Sequence, residues 1–179
     1  MKLPKVPQRT TPGFAFSMVD RALLDCLGER QFRQDEMKAV VLFLGADPPE
    51  CVFCGSADIA RWDHLVAIKQ GGETVIGNMV PACSRCDDSK RDVPYEDWML
   101  SDAKHSPKTR GLKDVKLRIA RIRRYVSHFD YSPKPLAKRL SKREAQRLAK
   151  IRRLLGAVRR DVDDLIDDYR TERTMGVSR

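Results

Sequence analysis

Two Cys-x-x-Cys pairs, Cys51/Cys54 and Cys83/Cys86, constrain this 179-residue chain more than any other feature. They hold four of its five cysteines. The segment Met1 to Phe16 carries three prolines and no apolar stretch, so it does not read as an export signal. A reducing, cytoplasmic compartment then makes metal binding a better use of these thiols than disulfides. Four thiolates suit a tetrahedral Zn2+ with every position filled, which is a structural site with no opening for substrate. Such an ion would staple the first pair to the second. What lies between and just behind the pairs must therefore carry any chemistry.

That interval has a definite pattern. Ile59 to Ile68 reads as a strand, Gly71-Gly72 as a turn, and Thr74 to Ala82 as a second strand or extended loop. Cys83 to about Arg91 begins a helix, completing a ββα unit. Pro94 suits the first residue of a further short helix, in which Tyr95, Trp98, Met99 and Leu100 would pack back on the unit. Asp63 and His64 are adjacent on the first strand, so they can serve one site only where that strand ends or twists. Asp87 follows Cys86 at the start of the helix. Closing the cysteine staple would bring Asp63 and Asp87 together, and two carboxylates suit a hard cation such as Mg2+. His64 has the chemistry to deprotonate water. Asn78 is able to orient that ring, and Lys90 to offset charge on a phosphate.

The array Cys-x-x-Cys, Asp-His, Gly-Gly, Asn, Cys-x-x-Cys-Asp-x-x-Lys resembles the HNH, or ββα-metal, endonucleases, in the branch with a four-cysteine zinc. The likeness covers about 40 of the 179 residues. It implies that His64 is the general base for attack of water on a phosphodiester. It also implies that Asp63 and Asp87 hold a catalytic Mg2+ or Mn2+, that Asn78 supports the loop and the base, and that Lys90 lies near the phosphate. The family often has His or Asn where this chain has Asp87. A carboxylate there is a harder ligand and leaves the preferred ion open.

The flanks differ in charge from this centre. Residues 49–103 carry a net −5, whereas residues 104–179 carry 23 basic and 9 acidic side chains. A basic tail of that kind is the footprint of a polyanion, here double-stranded DNA. The candidate backbone contacts are Arg85, Arg91, Lys113, Lys116, Arg118, Arg121, Arg123, Arg124, Lys138, Arg139, Lys142, Arg143, Arg147, Lys150, Arg152 and Arg153. Leu112, Val115, Ile119, Ile122, Val126 and Phe129 alternate at spacings of three and four. After a break, Ser141 to Glu144 forms a capping box. Leu148, Ile151, Leu155, Val158, Val162, Leu165 and Tyr169 then continue the alternation along a helix of about 30 residues, roughly 45 Å. So long a seam needs a partner: the preceding helix, the N-terminal helices, or a second copy in a homodimer. In the N-terminal part, Met18, Leu23 or Leu24, and Leu27 form one helical face, with Cys26 as a small buried hydrophobe. Asp35 caps a second helix bearing Met37, Val40, Val41 and Leu44, and residues 1–13 read as an extended arm.

The expected fold is α+β and mostly α, with a small zinc-stapled ββα core, flanking helices and a long C-terminal helical pair. Its divisions fall at 1–48 for the arm and short helices, 49–103 for the nuclease core, and 104–179 for the basic helical region. The expected function is metal-dependent DNA cleavage by a small site-specific restriction endonuclease. The alternatives are a junction resolvase or phage nuclease, and a zinc-stapled DNA-binding module without catalysis.

Overall fold

A computed structural model describes residues 11–27, 30–45 and 48–174 of the chain. Most of the expected N-terminal arm, residues 1–10, lies outside these. The elements run α1 (Pro12–Cys26), β1 (Arg30–Gln31), α2 (Gln34–Leu44), β2 (Arg61–His64), β3 (Thr74–Val75), β4 (Met79–Ala82), α3 (Ser84–Lys90), α4 (Tyr95–Leu100), α5 (Val115–His128), α6 (Leu136–Arg139) and α7 (Lys142–Thr174). The class is α+β with helix predominant, as expected. Two compact units form, residues 24–139 and residues 1–23 with 140–179.

In the unit 24–139, β2 pairs antiparallel with β4, Asp63 opposite Val80 and His64 opposite Met79. Both strands are shorter than their β-rich sequences suggest. β2 ends at His64 because the backbone of Val66 is taken over by the Asn78 side chain, and Ile68–Gln70 then winds into a 3-10 turn. The return stretch is broken at Gly77, where φ is +89°. Thr74 and Val75 leave the hairpin to pair in parallel with Arg30 and Gln31. Gly72 is required where the loop doubles back, since a Cβ there would lie 1.8 Å from the Val66 carbonyl oxygen.

The core of this unit gathers Val40 and Leu44 of α2, Val52 and Phe53 of the first knuckle, Val80 of β4, Trp98 and Met99 of α4, and Val115, Ile119, Ile122 and Tyr125 of α5. The apolar face of α5 is thus committed to the ββα unit itself. Phe53 meets Trp98 edge to face at 5.3 Å, an arrangement worth about 0.5–1.5 kcal/mol beyond burial. Leu100, expected to pack back with Trp98 and Met99, instead faces solvent, because only one side of so short a helix can reach the core. Pro94 stands one residue earlier than expected, at the N-cap of α4. α2 starts one residue before Asp35: the Glu36 carboxylate accepts a hydrogen bond from the Arg33 amide at 2.6 Å, and Asp35 lies within the first turn. Cys26 is exposed rather than buried, since α1 turns only Leu24 of its apolar residues fully inward.

In the other unit, α1 and α7 run antiparallel, with Arg152 paired to Asp20 at 2.8 Å and Arg159 lying against Gly13. The capping box forms as read: the Ser141 amide donates to Glu144 at 2.8 Å, and the Glu144 amide to the Ser141 hydroxyl at 3.3 Å. α7 is 33 residues long. Its seam is buried at Leu148 but open further on, where Leu165 is 67% and Tyr169 53% exposed.

One buried side chain ties α5 to the hairpin. The Tyr125 hydroxyl donates to the Met79 carbonyl at 2.7 Å and accepts from the Gly77 amide at 2.8 Å. Removing it orphans two backbone groups in a dry place. Tyr125→Phe should therefore lose about 1–3 kcal/mol in urea unfolding, and an unchanged midpoint would show that the tie is unimportant.

Candidate active site

The first knuckle is a tight turn in which the Cys54 and Gly55 amides both donate to the Cys51 carbonyl, at 3.2 and 2.8 Å. Gly55 takes φ +75°, a conformation that a side chain would strain. The second pair straddles the start of α3, with Cys83 at the N-cap position and Cys86 inside the first turn. All four sulfur atoms lie within 4.8 Å of one another. Cys54 and Cys83 are 3.8 Å apart, which matches the edge of about 3.8 Å that four metal–sulfur bonds of about 2.3 Å would make in a tetrahedron. Thiols packed this closely are in conflict unless a cation joins them. Hydrogen bonding with Cys54 helps push Cys51 up to about 12, that with Cys51 pushes Cys86 up, and Cys54 is pulled down as the acceptor from Cys51. A central metal ion requires all four as thiolates and removes the conflict. The cysteines are positioned to hold a metal ion. The Arg110 guanidinium adds an N–H toward Cys86 Sγ at 3.6 Å.

The staple sets β2 beside α3, and the reactive side chains stand at that junction. His64 is the last residue of β2, the position at which adjacent side chains can turn toward a common site. Asp63 is buried, and its carboxyl is pushed up to about 6. Burial is the largest cause; the Lys90 charge opposes it and the Asp87 charge adds to it. Asp87, in the first turn of α3, is held by the Arg61 guanidinium, which also reaches Asp88 at 2.7 Å.

Lys90 is placed differently from the sequence expectation. Its side chain is 1% exposed, with Nζ 3.1 Å from Asp63 Oδ2 and 2.7 Å from the His64 carbonyl oxygen. An ammonium this deeply buried needs a counter-charge and acceptors, and it finds them in the Asp63-His64 dipeptide. It locks the end of β2 onto α3 and is too enclosed to meet a phosphate.

Asn78 is likewise a clamp. Its Oδ1 accepts from the Val66 amide at 2.8 Å, while Nδ2 donates to the Val66 and Glu73 carbonyls at 3.1 and 2.8 Å. It shapes the loop rather than orienting the ring. The His64 ring meets Thr74, with Nε2 2.9 Å from the hydroxyl, and that hydroxyl donates to Asp25 Oδ1 at 3.1 Å. Arg61, Thr74 and Asp25 were not singled out from the sequence. Arg61 was signalled by its place two residues before Asp63 on one strand face. Asp25 lies 49 residues from Thr74 and gave no local sign.

Residues 51–92 match the family model described as HNH endonuclease. That segment is similar to an HNH domain. No curated protein and no solved structure matches the chain. The match covers about a quarter of the chain and is to a family of nucleases. No helix among the described residues is long and apolar enough to cross a membrane.

Around the HNH domain, some candidate DNA contacts are already engaged. Arg118 pairs with Asp114 at 2.9 Å, Arg123 with Glu96, and Arg139 with Glu73 at 2.8 Å. Arg85, Arg91, Lys113, Lys116, Arg124, Lys142, Arg143 and Arg147 are exposed, and Arg121 is half-buried.

The purified protein should carry one tightly held metal ion per chain at the cysteines. Cys86→Ala should lose it and unfold at lower denaturant, as read by elemental analysis and urea titration. Full stability with no metal would contradict the staple.

Proposed function

We propose that the protein is a metal-dependent DNA endonuclease, most specifically a small restriction enzyme that cuts double-stranded DNA at a defined site. The observation that carries this reading is the match of residues 51–92 to the HNH endonuclease family, with Asp63 and His64 at the end of β2 and Asp87 in the first turn of α3. The staple ion is Zn2+, which favours a closed four-thiolate set and takes no part in the chemistry. Asp63 and Asp87 are the residues to hold a catalytic Mg2+ or Mn2+, since carboxylate oxygens fit a hard cation. Bound there, the ion supplies charge neutralisation at the scissile phosphate and its leaving oxygen.

The chain's own residues do the rest. His64 accepts the proton of the attacking water as the phosphodiester bond is broken. Lys90 and Asn78 hold the strand end and the loop that present it. Arg61 holds the Asp87 carboxylate in place. The exposed cations Lys142, Arg143 and Arg147 on α7 grip phosphates outside the cutting site, and they fix position without reading sequence. The open seam of α7 at Val158, Leu165 and Tyr169 meets a second copy, which suits cutting at a two-fold symmetric site.

Incubation with plasmid and phage DNA in Mg2+ or Mn2+ tests the reading. Discrete fragments are expected, and His64→Ala should cut about 10²–10⁴-fold more slowly while still binding DNA. Cutting confined to branched substrates would make the protein a junction resolvase. DNA binding without cleavage under any metal would reduce it to a zinc-stapled binding module. Replacing Lys142, Arg143 and Arg147 together should weaken binding equally for all sequences and reduce the salt slope by about one for each phosphate no longer neutralised. Sedimentation at micromolar concentration should show a dimer; a monomer would assign the seam elsewhere.

A further inference from the structure

The His64 ring is tied to two residues that no part of the HNH assignment covers together: Thr74 in the loop of the domain and Asp25, which lies outside the matched segment. We propose that Asp25 and Thr74 are positioning residues that set the tautomer of His64, so that Nε2 carries the proton and Nδ1 the lone pair. Their effect on cleavage rests on the reading of His64 as the general base, but the tautomer itself does not.

The supply of hydrogens decides the tautomer. A serine or threonine hydroxyl has one hydrogen to give and lone pairs to accept with, whereas an ionised carboxylate only accepts. The Thr74 hydroxyl lies 3.1 Å from Asp25 Oδ1 and 2.9 Å from His64 Nε2. Its one hydrogen goes to Asp25, so toward His64 it can only accept. Nε2 must then be the protonated nitrogen, and in the neutral ring the basic lone pair stands on Nδ1. The same link fixes the rotation of the ring about its χ angles, which a lone histidine at a strand end would not hold.

The fold has features that make this link firm. Thr74 does not belong to the β2–β4 hairpin; it is paired in parallel with Arg30, four residues after the end of α1. That two-residue ladder is what brings the last turn of α1, and hence Asp25, to the loop of the HNH domain. A carboxylate is out of place in that turn as far as the helix is concerned, because the C-terminal end of a helix dipole disfavours negative charge. There it accepts a hydrogen bond from the Thr74 hydroxyl. Asn78, the side chain expected from the sequence to orient the ring, has its amide engaged by the backbone of Val66 and Glu73.

The test uses the full-length protein labelled with 15N-histidine, with His64 assigned by His64→Gln. Long-range 1H–15N spectra of the neutral ring should show the Nε2–H tautomer in the wild type. Asp25→Ala frees the Thr74 hydrogen to point at Nε2, so the Nε2–H population should fall measurably. In plasmid cleavage, Asp25→Ala and Thr74→Ala should lower kcat about 10–100-fold, the range seen when an orienting partner is removed, with KM for DNA within about twofold. Thr74→Ser, which keeps the hydroxyl, should restore kcat to within about threefold of the wild type. An Nδ1–H tautomer in the wild type would overturn the proposal, whether or not any variant folds. So would Asp25→Ala and Thr74→Ala retaining full kcat. A wild type that cuts no DNA yet shows the Nε2–H tautomer would remove the nuclease reading and leave the Asp25–Thr74 link standing.

Discussion

Everything in the residue 24–139 unit depends on one constraint: four thiols brought within bonding range of a single ion. Two four-residue strands and a seven-residue helix are too short to hold one another in place by burial alone. The staple removes that problem by fixing the segment ahead of β2 to the first turn of α3. Once those ends are fixed, β2 lies along α3, and Asp63 and Lys90 meet across the junction. The catalytic candidates thus stand on the elements that the cysteines join, without being part of the cysteine set. This division explains how a site rich in charge stands in so small a scaffold.

Within that frame, each polar group has a defined task. Asn78 and Tyr125 both bond backbone, and together they hold the loop and hairpin whose ladder is too short to hold itself. Lys90 neutralises Asp63 and donates to the His64 carbonyl. Leaving Asp63 without that lysine would strand a buried carboxylate, so the pair is required for the fold at least as much as for chemistry. Arg61 serves Asp87 from the exposed side. His64 is linked outward, through Thr74, to the last turn of α1.

The parts legible in the sequence were those encoded locally. Cysteine spacing, the Asp-His dipeptide, the Gly-Gly turn and the Ser141–Glu144 box all signal through neighbours a few residues apart, and each folds as its chemistry dictates. The heptad alternation of α5 was read correctly as an apolar face, but alternation does not name a partner, and the face went to the core of the ββα unit. Lys90 was misplaced for a similar reason: a lysine one turn behind a metal knuckle looks solvated until the depth of the junction is known. The long β-rich stretches around Gly71 were overread as strands because propensity does not register that Asn78 takes over the Val66 backbone. Asp25 was invisible, since only the β1–β3 ladder brings the end of α1 to the loop.

With His64 as the acceptor of a water proton, the resemblance to HNH endonucleases implies that the bond that breaks is the one to the 3′-oxygen of the scissile phosphate. The ends left on cut DNA test this most directly. Fragments produced by the wild-type protein should rejoin with DNA ligase without prior treatment, because they carry 5′-phosphate and 3′-hydroxyl groups. Fragments that ligate only after removal of a 3′-phosphate would contradict this mechanism.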